Sequence, residues 1–165
     1  MPARANATLG TLLRHLIEKL DGAVEQSYVE SGLAYRPRYT PVMRALIESG
    51  PASIRSISRS AGITHSAASQ TVAQMVENGL VRLEQGSDAR ERIVALTPAA
   101  KKMIPKLEQH WRATNDAARI LDSELSMPLS DLLREAIDAL DRASFGKRID
   151  AAAAQHKRSK SRKKA

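Results

Sequence analysis

The sequence predicts a mainly α-helical fold with one small β-hairpin, an α+β chain centred on the segment from Ser53 to Thr97. Three observations carry that prediction. Apolar residues recur at spacings of three and four through most of the chain, the signature of amphipathic helices. The turn Ala61-Gly62-Ile63-Thr64 joins a glycine that lets the backbone reverse to a threonine whose hydroxyl can cap the next helix. Beyond the helix stop Asn78-Gly79, two short strand-like runs flank a polar loop. Short helix, turn, helix and strand-loop-strand in that order build a helix-turn-helix with a hairpin wing.

Each element follows from local chemistry. Leu9, Leu12, Leu13, Leu16, Ile17, Leu20 and Val24 form one apolar stripe, predicting a first helix that ends before Gly32. Pro41, placed at the first helical position after Thr40, opens a second helix with Val42, Leu46 and Ile47 inward, stopped near Gly50-Pro51. Ser53 caps a short third helix whose Ile54 and Ile57 face inward, while Arg55 and Arg59 share its outer face. The fourth helix, His65 to Asn78, turns Ala68, Val72, Met75 and Val76 inward and leaves Ser66, Ser69, Gln70, Ala73 and Gln74 outward.

Leu80 to Glu84 and Arg92 to Leu96 are the expected wing strands, around Gln85-Gly86-Ser87-Asp88-Ala89-Arg90. Thr97-Pro98 opens a long helix carrying Met103, Ile104, Leu107, Trp111, Ala118 and Leu121 on one side, with a kink expected at Pro105 because the ring removes an amide donor. Leu129, Leu132, Leu133, Ile137 and Leu140 define a last amphipathic helix to about Gly146. Residues 1–5 read as a flexible N-terminus. Residues 147–165 read as a disordered basic tail, since they offer little to bury.

Composition narrows the function classes. The net charge of +8 is unevenly spread: residues 147–165 hold eight Lys/Arg against one acid, and residues 36–106 hold eleven against five. The flanks lean acidic, with three basic against four acidic side chains in residues 1–35 and four against eight in residues 107–146. Basic charge concentrated on one module is what phosphate binding requires. With one Trp, three Tyr and one Phe, stacking on unpaired bases is disfavoured, and duplex DNA fits better than single strands.

The absence of cysteine excludes disulfides, thiolate metal sites and thiol redox sensing. No apolar run has the length of a membrane span or a signal peptide, so a soluble, cytoplasmic protein is expected without a membrane partner. No metal-ligand spacing or nucleophile-histidine-carboxylate motif occurs, so neither a metal, a cofactor nor enzymatic activity is expected.

The candidate DNA-binding residues follow from position. Thr64 caps the recognition helix and His65 stands at its start. Ser66, Ser69, Gln70 and Gln74 face outward, small and polar enough to approach base edges. Arg55 and Arg59 are placed for phosphate contact, Arg90 and Arg92 lie on the wing, and Asp88 supports the wing loop by bonding its amides or pairing an arginine. No Lys or Arg occurs from Thr64 to Gly79, so guanine-directed arginine contacts are not expected from this helix, and Gln70 favours adenine through its N6 and N7. The basic tail is expected to raise nonspecific binding and its salt dependence. An alternative reading is an architectural protein that coats DNA with little sequence choice. A third, protein binding by the winged module, is disfavoured by the small polar outer face.

Asp88-Ala89-Arg90, followed after six residues by the threonine of Leu96-Thr97, together with Gly79-Leu80-Val81, resembles the MarR family of bacterial transcriptional regulators. The order of flanking helices extends the resemblance over roughly residues 6–146. It implies a winged helix-turn-helix at 36–106 between dimerisation helices at 6–35 and 107–146. It further implies a homodimer on a palindromic operator, with recognition helices in successive major grooves and wing arginines near the minor groove. A repressor released by a small aromatic or phenolic effector is the implied function. His15, Tyr35, Tyr39, His110 and Trp111, near the helix junctions, are the candidate effector-pocket residues. One departure is Ala100, where the family carries glycine; alanine is the better helix former.

Overall fold

The computed structural model describes residues 7–85 and 92–162, with side chains as far as residue 156. Seven helices are described: α1 (Leu9–Glu30), α2 (Thr40–Ser49), α3 (Ile54–Ser60), α4 (His65–Glu77), α5 (Pro98–Glu124), α6 (Leu129–Arg142) and α7 (Phe145–Arg162). A 3-10 turn, Pro37–Tyr39, leads into α2. Three strands, β1 (Ala52–Ser53), β2 (Val81–Gln85) and β3 (Arg92–Leu96), form an antiparallel sheet in the order β1-β3-β2. The register pairs Val81 with Leu96, Leu83 with Val94 and Ala52 with Val94.

The chain divides into two compact units, Met1–Thr114 and Asn115–Ala165. In the first, α3 packs on α2 and α4, and the sheet packs against α2, α3 and α4. Val42, Met43, Ile57, Val72, Met75, Val94, Ala100 and Leu107 are almost wholly buried there. The stripe of α5 contributes Leu107 and Trp111 to that core. Pro105 lies inside α5 without ending it.

Several expectations are corrected. Val76 is 37% exposed, because the buried line of α4 runs through Ala68, Val72 and Met75 and leaves it at the edge. The apolar stripe expected on α1 is present but is no part of this core: only Tyr28 is buried, and Leu9, Leu12, Leu13, Ile17 and Leu20 are exposed. Strand β2 starts at Val81, since the Leu80 amide is already bonded to the Met75 carbonyl at 2.8 Å in the stop of α4. Gly79 makes that stop possible with φ of 66° and its own amide bonded to Val76 at 2.9 Å, a paired motif that terminates a helix through its orphan carbonyls. β1 was not foreseen. Two residues carry no periodicity, and they are held by pairing with Ile93 and Val94.

In the second unit, the helix expected to reach Gly146 ends at Arg142, and a further helix, α7, occupies Phe145–Arg162 where disorder was expected. Alanine, lysine and arginine are strong helix formers, and the run Ala151–Ala154 favours helix without any core to join. The junction between α5 and α6 is closed by Asp122. Its carboxylate accepts from the Leu129 amide at 2.8 Å, the Ser130 amide at 3.4 Å and the Ser130 hydroxyl. Pro128, at the cap position, has no side-chain acceptor, so the cap is supplied from the preceding helix. Those hydrogen bonds hold the Asp122 carboxyl below its usual pKa, the Ser130 hydroxyl contributing most. Downstream, the Arg148 guanidinium donates to the Ala139 carbonyl at 2.9 Å and the Ala143 carbonyl at 3.2 Å, placing a cation at the C-terminus of α6.

Candidate nucleic-acid interface

Three short stretches position the outer face of α4. Ser53 accepts from the Ser56 amide at 3.4 Å and starts α3. The chain then reverses at Gly62, φ 64°, with the Ile63 amide bonded to Ser58 at 3.1 Å. Thr64 follows in extended conformation and its hydroxyl accepts from the Ala67 amide at 3.2 Å, starting α4. Thr64 therefore acts as a cap, with its side-chain oxygen turned to the helix amides.

With Ala68, Val72 and Met75 inward, His65, Ser66, Gln70 and Ala73 are exposed and Ser69 and Gln74 half-buried. This face is small and polar and carries no Lys or Arg; its one charge is the exposed Glu77 at its C-terminal end. Cations flank it on one side: Arg55 and Arg59 are exposed on α3, which packs directly on α4. Arg92 opens β3, is exposed, and pairs in register with Gln85. Arg82 is exposed too, but its guanidinium lies 2.6 Å from the Glu84 carboxylate, so its charge is partly spent within the strand. Asp88 and Arg90, the wing-tip residues, lie outside the described residues.

Sequence reasoning missed a contact on the rim of this face. Arg38, exposed in the 3-10 turn before α2, donates through Nη2 to Oε1 of Gln74. Next to it the Asn78 amide donates to the Tyr39 hydroxyl at 3.2 Å and to the Gln74 carbonyl at 2.7 Å. The turn is thus fastened to the far end of the recognition helix.

Behind the interface lies an aromatic cluster. His110, Tyr28, Tyr35 and Tyr39 meet edge to face in succession, with ring centroids 5.3, 5.2 and 5.8 Å apart. The Tyr35 hydroxyl donates to Thr40 Oγ1 at 3.4 Å, and Ser27 Oγ lies 3.2 Å from His110 Nδ1. Burial raises the pKa of both the Tyr28 and Tyr35 phenols, so both remain neutral hydroxyls. The Arg44 guanidinium stacks over Trp111 at 4.8 Å. The Trp111 Nε1 hydrogen is buried; the Tyr28 hydroxyl lies near the indole, but no described group meets hydrogen-bond geometry with it.

Four of the five candidate pocket residues are thereby gathered, and His15 is not. It lies exposed on α1 with Nδ1 4.0 Å from the Glu18 carboxylate. Tyr28, at the centre of the cluster, was overlooked, although it continues the Leu20, Val24 spacing by four residues. Among the described residues no group of three or more His, Asp or Glu is placed to hold a metal ion, and no helix is long and apolar enough to cross a membrane.

Comparison with known proteins places this geometry. Residues 31–91 match the model of the MarR family. Among solved structures, the chain is similar to a probable transcriptional regulator from Pseudomonas aeruginosa, with 22% identity, a TM-score of 0.57, and coverage of 83% of this chain and 99% of that one. It is similar to BpsR of Bordetella bronchiseptica, whose DNA binding is regulated by 6-hydroxynicotinic acid, with 22% identity, a TM-score of 0.55, and coverage of 84% and 99%. It is also similar to the M. tuberculosis regulator MosR solved in complex with DNA, with 18% identity, a TM-score of 0.63, and coverage of 84% and 96%. These likenesses establish the fold. No curated protein matches the sequence.

Proposed function

We propose, on the premise that residues 31–91 form a winged helix of the MarR family, that the chain is a homodimeric, sequence-specific DNA-binding regulator that represses transcription at palindromic operators. The observation that carries the reading is the outer face of α4, capped by Thr64, without Lys or Arg of its own and flanked by Arg55 and Arg59 on the helix packed against it. Ser66, Ser69 and Gln70 read bases, Gln70 favouring adenine. Arg55 and Arg59 bind phosphate, Arg90 and Arg92 work near the minor groove, and Asp88 braces the wing loop.

Homodimer formation is supported by apolar faces the chain leaves open. In α6, Leu132, Leu133, Ile137 and Leu140 are exposed on a single strongly amphipathic helix with no buried residue. A small aromatic effector is supported by the unsatisfied Trp111 Nε1 beside Arg44 and the tyrosines, a combination suited to an aromatic anion. The similarity to BpsR, which responds to 6-hydroxynicotinic acid, is in keeping with this class. The basic end beyond Lys157 adds nonspecific affinity for DNA, and the regulator works in the cytoplasm.

Selection of bound sequences from random duplexes at moderate salt tests the central claim. The expected product is a palindrome whose half-sites lie about 10 bp apart or a multiple of that. Recovery of no enriched palindrome would overturn the reading.

A further inference from the structure

We propose that Arg38, which lies outside the helix-turn-helix, is a sequence-reading residue, and that Gln74 holds its guanidinium where it recognises guanine. The inference rests on the DNA-binding reading above and adds a specificity determinant to it. Helix α4 has no Lys or Arg of its own, but the turn Pro37–Tyr39 packs against it and brings the Arg38 guanidinium onto the Gln74 amide.

The turn is well anchored. Tyr39 is 1% exposed and accepts from Asn78, and the same Asn78 amide holds the Gln74 carbonyl, so side chain and backbone fix Arg38 against positions 74 and 78. Pro37 sets the first backbone angle of the turn. Arg38 forms no ion pair with an acid among the described residues, which leaves its charge for a ligand.

Hydrogen-bond inventory then selects the base. A guanidinium can only donate, so the atom of Gln74 facing it must be the oxygen. That bond takes one of the two lone pairs of Oε1 and leaves Arg38 its remaining N–H groups, all of them donors, beside Gln74. Adenine demands one acceptor and one donor, for N6 and N7, whereas guanine presents two acceptors, O6 and N7. The guanidinium, which only donates, matches the two acceptors of guanine and cannot accept from adenine N6. Gln70, one helical turn away, makes no side-chain hydrogen bond among the described residues and keeps both functions for adenine. The face thus divides between the adenine-reading Gln70 and a guanine-reading arginine supplied from outside α4, in keeping with the expectation that the helix itself provides no such arginine.

The test is selection on random duplexes with the full chain and with Arg38→Ala, Arg38→Lys and Gln74→Ala. Affinities are then measured on the selected site and on one with the half-site guanine changed to adenine. Thermal unfolding checks that each variant folds. Wild type is expected to discriminate against adenine roughly tenfold or more. Arg38→Ala and Arg38→Lys should abolish that preference while the remaining positions stay selected, because lysine keeps the charge but not the planar fork.

If both Arg38 variants retain the guanine preference, or Arg38→Ala weakens every sequence by one factor while Arg38→Lys restores it, the residue binds phosphate or nothing and the proposal is wrong. A wild-type selection without any palindrome would remove the DNA-binding reading as well. An Arg38-insensitive palindrome would remove this proposal alone.

Discussion

Helices α4 and α6 are both amphipathic and of similar length, thirteen and fourteen residues, yet they meet opposite fates. The apolar line of α4 is covered by its own chain, with Ala68, Val72 and Met75 at 2% exposure or less. That of α6 is bare, with Ile137 at 58%. The first helix belongs to a unit that carries a complete core. The second is shaped for burial that its own chain does not provide. An apolar stripe in sequence therefore says that a helix must be covered, and leaves open by which molecule.

The largest expected effect breaks this contrast at α6. Replacing Leu133 and Ile137 together by glutamate removes two apolar side chains, each worth about 1.5–3 kcal/mol when fully buried. Self-association should weaken by roughly a hundredfold or more, read by sedimentation across a concentration series. Unchanged association would remove α6 from the dimer. Next comes the closed core, where Leu107→Ala should lower unfolding stability by about 2–5 kcal/mol in urea, because the cavity left at a fully buried site relaxes only in part. A loss below about 1 kcal/mol would mean that the core is looser than its burial indicates.

Thr64→Ala should cost about 1 kcal/mol by removing the cap of α4. Because that cap also orients the recognition helix, the fold change in operator affinity should exceed that caused by Ser53→Ala at the cap of α3. The smallest effect concerns acid. Asp122 has a depressed carboxyl pKa, so its contribution is present above the ordinary carboxylate value near pH 4 and is lost as pH falls through the lower folded value. Acid titration followed by circular dichroism should show Asp122→Asn losing less α6 helix than wild type below about pH 4. An identical acid profile would show that the cap does not couple to the proton.

The same contrast governs how much could be read from sequence. The helix-turn-helix was legible because its signals are local: Gly62 reverses the chain, Ser53 and Thr64 cap, and Gly79 stops α4. Strand β3 was found with its ends, Arg92 and Leu96. What escaped depends on partners distant in the chain. Asp122 caps a helix seven residues away, Arg38 meets Gln74 thirty-six residues away, and β1 exists only by pairing with β3. Helix α7 is hidden for another reason: it has little apolar surface to bury, and only the intrinsic propensity of its alanines and basic residues favours it. The aromatic cluster was partly visible, and Tyr28 would have joined it had the α1 spacing been followed one step further.

Arg148 shows why a count of charges is a poor guide to where this chain can be cut. By sequence it is one more cation in a basic C-terminal segment, but its guanidinium is held on the Ala139 and Ala143 carbonyls at the end of α6. A truncation meant only to strip positive charge should therefore fall well beyond Arg148. A cut before it would also remove this contact at the end of α6, and an effect on that helix would then be mistaken for an effect of charge.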